Sequence, residues 1–131
     1  MFTIHPRDPT PVWKQIEDGI RRLVATGALR AGGPAPSVRD LARDLRVNPM
    51  TVSKAYQRLS DAGLLEVRRG EGTYVSAGAS RMTSADRKSA LRGAATRYAE
   101  VGITLGASAE EGARAAASAW QSLRTGEEEE R

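Results

Sequence analysis

Apolar positions recur at helical spacing through most of the chain. Val12, Ile16, Ile20, Leu23 and Val24 form one stripe with Trp13 at its edge, predicting a helix from Pro11 to about Thr26. Thr10 suits its N-cap, Pro11 its first turn and Gly27 its stop. AGGPAP (31–36) then reads as a stiff turn. Ser37 opens a second helix with Val38, Leu41, Ala42 and Leu45 inward, and Asp40 stands where a capping box places its acid. After the short Arg46-Val47 turn, Asn48 caps a third helix with Pro49 at its first position; Val52, Ala55, Tyr56 and Leu59 make its buried stripe, and it ends at Asp61-Ala62-Gly63.

The period then changes. LLEVRR (64–69) and TYVS (73–76) read as strands joined by a tight Gly70-Glu71-Gly72 turn. Residues 77–84 are small and polar, a linker by composition. Helical spacing returns over 85–104 through Leu91, Ala95, Tyr98 and Val101, is broken at Leu105-Gly106-Ala107, and resumes after Ser108 to about Leu123. The end of the chain, 125–131, is an expected disordered acidic tail.

The fold class expected is mainly α with a small β-hairpin: a winged helix-turn-helix over 1–76, the 77–84 linker, and a two-helix region over 85–124. In such a fold the third helix enters the DNA major groove. Its outward face supports this, because Met50, Ser53, Lys54, Gln57 and Arg58 include no acid before Asp61. Asn48, Thr51 and Ser53 bring short hydrogen-bonding groups to a helix N-terminus, whose free amides and partial positive charge suit phosphate. Lys54 and Arg58 add charge, and Met50 suits a thymine methyl. Arg39 lies early in the second helix. Arg68 and Arg69 enter the wing tip, where cations suit the narrow minor groove and Gly70 and Gly72 permit close backbone approach.

Charge placement agrees. Residues 1–76 hold 12 Lys/Arg against 8 Asp/Glu, while 77–131 hold 8 against 8. The excess that makes the net charge +4 therefore sits on the half expected to meet a polyanion. Cysteine is absent, which excludes disulfides and thiol chemistry and fits a reducing, cytoplasmic compartment. MFTIHPRDPT has no apolar run after a basic start, and no segment is long and apolar enough for a membrane span. No Ser/His/Asp set, metal cluster or phosphate loop is visible, so neither an enzyme nor a cofactor is expected. His5 stands alone near a terminus, Trp13 and Trp120 are expected in core or interface, and Arg43 and Arg46 fit ordinary solvated charges.

Several ordered stretches resemble the GntR-type transcriptional regulators: PVWKQI, TGAL, PSVRDLARDLRVN, TVSKAYQRL and GLLEVRRGEGTYV, spanning Pro11 to Val75. VNPMTVSKAY and LGASAEEGARAA are similar to the YtrA-like subfamily, which carries a two-helix tail. The resemblance implies a homodimer made by that tail and a repressor of a nearby operon, often for a membrane transporter, bound to a pseudo-palindromic operator. It places DNA contacts on Arg39, Asn48, Met50, Thr51, Ser53, Lys54 and Gly70. The chain departs from the family at Gly33-Pro34-Ala35, where an acid and a large apolar residue are usual, and at Pro49-Met50, where Arg is frequent. An effector ligand is not readable. The alternative function is a winged-helix protein-interaction module whose third helix meets another protein.

Overall fold

The computed structural model describes the backbone of residues 1–78 and 83–129, with side chains as far as Arg124. The chain divides after Ser80 into two compact units.

The first unit contains α1 (Val12–Ala25), α2 (Val38–Leu45), α3 (Pro49–Asp61), β1 (Leu65–Arg68) and β2 (Gly72–Val75). The expected stripes converge on one core. Ile16 and Ile20 of α1, Leu41 of α2, Val52 and Leu59 of α3, and Val75 of β2 are fully buried. Removing these side chains from water supplies about 1.5–3 kcal/mol each, which is what holds three short helices together. Tyr56 is buried too, and its hydroxyl donates to the Pro36 carbonyl at 2.7 Å, tying α3 to the turn before α2. Burial pushes its phenol well above the usual range.

Helix ends follow local chemistry. Ser37 Oγ accepts from Asp40 N at 3.0 Å, and Asn48 Oδ1 accepts from Met50 N at 2.8 Å, with Pro49 in the first turn. Between them Arg46 ends α2 in the left-handed conformation, at φ 57°. The start of α1 differs from the expectation. Pro11 is the N-cap and has no side-chain cap bond. Instead Gln15 reaches back: its Nε2 donates to the carbonyls of His5 and Thr10, and its Oε1 accepts from His5 N. A side-chain amide imitates a peptide and clamps the N-terminal loop. Phe2 thereby lies on Gly19, whose glycine is explained by space: a Cβ there would stand 2.5 Å from the ring.

The antiparallel hairpin pairs Leu65 with Val75 and Arg68 with Gly72. Gly72 is thus a strand residue, and the turn is Arg69-Gly70-Glu71. The AGGPAP stretch is more than a turn. Gly32 N donates to Val75 O, Val75 N to Gly33 O, and Ala35 N to Thr73 O, so its backbone pairs along the free edge of β2. This edge pairing braces the wing from below.

The second unit consists of α4 (Ser84–Thr104) and α5 (Ala109–Glu129). Thr83 Oγ1 caps α4 by accepting from Asp86 N, a role the linker reading missed, and Ser108 Oγ accepts from Glu111 N at the start of α5. Tyr98 donates to the Gly112 carbonyl across the two helices at 2.8 Å. α5 runs past Leu123 into the stretch expected as a disordered tail; residues 130–131 lie outside the described residues, as does half of the expected linker, 79–82. No residue of α4 is buried.

Candidate nucleic-acid interface

The residues singled out in the first unit occupy three places: the start of α2, the exposed face of α3, and the hairpin. Arg39 is exposed on the first turn of α2 and has no ion-pair partner among the described residues. Asn48 uses its carbonyl oxygen on the cap, leaving the amide nitrogen without a partner among the described residues. Met50 is 79% exposed, unusual for a thioether side chain at a helix start with no packing to do. Ser53 and Lys54 are exposed and Thr51 is half-buried. The only acid on α3 is Asp61 at its end, and it accepts from Gln57 Nε2 at 2.9 Å.

Lys54 and Arg58, one turn apart, both meet Trp13 of α1. The Lys54 ammonium lies 4.8 Å from the ring centroid and the Arg58 guanidinium 4.4 Å. Arg58 Nε also donates to Glu17 Oε1 at 3.2 Å, and Glu17 is buried. The cation expected at the DNA face is therefore tied to α1. Neither Trp13 nor Glu17 was among the residues the sequence proposed for this site. The signal was a pair of i,i+4 spacings, Trp13/Glu17 and Lys54/Arg58, which become a four-residue cluster only once α1 and α3 dock.

The wing repeats the device. Arg68 donates to Glu66 Oε1 from Nη2 at 2.7 Å and from Nε at 3.0 Å, and its guanidinium stacks 3.9 Å from the Tyr74 centroid. Arg69 at the tip is exposed with no ion-pair partner among the described residues. Gly70 and Gly72 have φ of 78° and 111°. A Cβ would meet nothing at either, so backbone conformation, not crowding, requires glycine.

The described residues hold no group of three or more His, Asp or Glu placed to bind a metal. His5 is exposed and joined through its backbone to Gln15. No helix among the described residues is long and apolar enough to cross a membrane.

Residues 13–75 match the family model for bacterial regulatory proteins of the gntR family. The HTH-type transcriptional repressor YtrA of Bacillus subtilis is 45% identical over 76 residues, a span covering 58% of each protein. The HTH-type transcriptional regulator Rv1152 of Mycobacterium tuberculosis is 39% identical over 92 residues, covering 70% of this chain and 68% of that protein. Among solved structures, YtrA from Sulfolobus acidocaldarius, described as a GntR-family transcription factor, superposes with a TM-score of 0.54 at 30% identity, covering 94% of this chain and 99% of that one.

Proposed function

We propose that this chain, which belongs to the GntR family of bacterial regulatory proteins, binds double-stranded operator DNA as a dimer and represses transcription. The observation that carries the reading is the acid-free outer face of α3, flanked by exposed Arg39 and by the Arg69 wing tip. The capped end of α3 enters the major groove and offers Met50, Ser53 and the Asn48 amide to base edges and phosphates. Pro49-Met50 in place of an arginine shifts readout there toward apolar contact with thymine methyls. The wing sets Arg69 beside the backbone or minor groove.

The second unit supplies the dimer. Its two helices leave Leu91, Tyr98, Val101, Ile103, Leu105, Trp120 and Leu123 exposed, Ile103 and Leu105 by more than three-quarters. Apolar surface in that amount marks an interaction site, and a second copy of the chain covers it. Two-fold symmetry then gives an operator of two inverted half-sites, one helical turn apart or a multiple of it. Repression follows where that operator overlaps a promoter, and a transporter operon next to the gene is the target that the family likeness suggests.

Selection from random duplex DNA on the purified chain, with sedimentation of the free protein, tests both parts. A two-fold-symmetric consensus and a sedimenting dimer support the reading. Enrichment of no sequence overturns operator recognition and favours a protein partner for α3; a monomer overturns the role given to α4 and α5.

A further inference from the structure

We propose that Trp13 is a positioning residue of the DNA interface: its indole face positions Lys54 for a phosphate without offsetting its charge, while Glu17 withdraws Arg58 from that task. The inference rests on the reading that α3 binds DNA. Trp13 belongs to α1, which that reading leaves as scaffold.

The argument turns on what each partner does to a cation. A carboxylate cancels the charge that it binds. Glu17 is nearly excluded from water and bonded to Arg58 at 3.2 Å, so the pair presents little net charge to a polyanion. An aromatic ring attracts a cation through its quadrupole and leaves the charge intact. Lys54 rests on Trp13 with no carboxylate partner among the described residues, so it keeps its full charge. An ammonium contacts a ring with one side only, and its other N–H donors remain open.

A free lysine side chain also loses rotamer freedom when fixed on a ligand. Resting on Trp13 removes part of that freedom before DNA arrives, which favours binding. Two like charges one turn apart on α3 would otherwise repel. Glu17 relieves that repulsion, so Lys54 and Arg58 share one ring. In the wing too one cation is paired and its neighbour is not: Arg68 is bonded to Glu66 on the Tyr74 ring, and Arg69 has no ion-pair partner among the described residues.

The test is a titration of the selected duplex by the full-length parent, Trp13→Leu, Trp13→Phe, Lys54→Ala and the Trp13→Leu/Lys54→Ala double variant, each at several salt concentrations. Melting curves accompany every variant. Losing the ring should weaken binding about two- to fivefold, because the lysine then keeps rotamer freedom that binding must remove. Trp13→Phe, which keeps a π face, should retain part of the affinity. Lys54→Ala should make the slope of log K against log salt shallower by about 0.9, one phosphate contact. In the Lys54→Ala background the Trp13 substitution should have no further effect, a non-additivity that general destabilisation would not produce. Should Trp13→Leu fail to fold, Trp13→Met, with a flexible side chain that fills the same space, replaces it in the cycle. Parent-like binding by the Trp13 variants, or losses that multiply in the double variant, would overturn the proposal while leaving DNA binding standing. A parent chain that binds no selected duplex would remove the premise as well as the proposal.

Discussion

Arg58→Ala gives the sharpest prediction about stability. The Glu17 side chain is 5% exposed and that of Arg58 51% exposed. Truncating Arg58 leaves a buried carboxylate whose Oε2 has Lys14 Nζ at 4.0 Å, too far for a hydrogen bond. Breaking a fully buried pair from one side costs about 3–5 kcal/mol. Here the arginine half is open to solvent, so water can reach the vacated position, and the figure falls toward the 1–3 kcal/mol expected for a buried group stripped of its partner. The loss of Trp13 stacking adds about 0.5–1 kcal/mol. About 1.5–4 kcal/mol is therefore expected. In a unit of this size each kcal/mol lowers the melting temperature by about 4–8 °C. Differential scanning calorimetry of the parent, Arg58→Ala, Glu17→Gln and the double variant separates the causes. If the damage is an unpaired buried charge, Glu17→Gln should be mild, and adding it to Arg58→Ala should recover most of the loss. A double variant no more stable than Arg58→Ala would refute the reasoning, placing the stabilisation in the arginine's packing and not in the pair.

Other consequences are independent of this cluster. Tyr56→Phe removes the bond to the Pro36 carbonyl and should cost about 1–2 kcal/mol by chemical denaturation. Because burial raises the Tyr56 phenol in the folded state, the unfolded chain ionises first, near pH 10, so stability should fall as pH rises past that point. Tyr56→Phe should flatten that alkaline limb, measurable by melting at pH 8–11. Gly19→Ala meets two opposed effects, a helix gain of about 1 kcal/mol and the displacement of Phe2; against a Phe2→Ala background only the gain remains, so the substitution should stabilise the second background more than the first. Arg46→Gly relieves a left-handed conformation that costs an ordinary residue about 1–2 kcal/mol, offset in part by the freer unfolded chain, and should raise the melting temperature by a few degrees.

Much of this was legible in the chain because side-chain periodicity and capping are local. The stripes of α1, α2 and α3, the caps at Ser37, Asn48 and Ser108, and the hairpin follow from residues a few positions apart. What escaped depends on contacts between distant segments. The AGGPAP backbone pairs with β2, but glycine and proline there read as breakers, since ladder hydrogen bonds leave no mark on side-chain type. Thr10 looked like the better cap because the choice made by Gln15, five residues on, depends on where the N-terminal loop returns. For the site, the sequence proposed the exposed cations of α2, α3 and the wing without distinguishing among them. Which are held by carboxylates, as Arg58 and Arg68 are, and which are not, as with Arg39 and Arg69, depends on helix docking and strand register.

The measurement that bears most directly on the central claim is the affinity of the selected duplex for the parent and for Arg39→Ala across a salt series. Arg39 is exposed, has no ion-pair partner among the described residues and contributes nothing to the core, so its truncation should leave the melting temperature within about 0.5 kcal/mol equivalents of the parent. The account predicts binding that weakens at least tenfold, with a salt slope shallower by about 0.9 if its contact is a phosphate. Parent-like affinity and slope in Arg39→Ala would contradict the placement of DNA against this face.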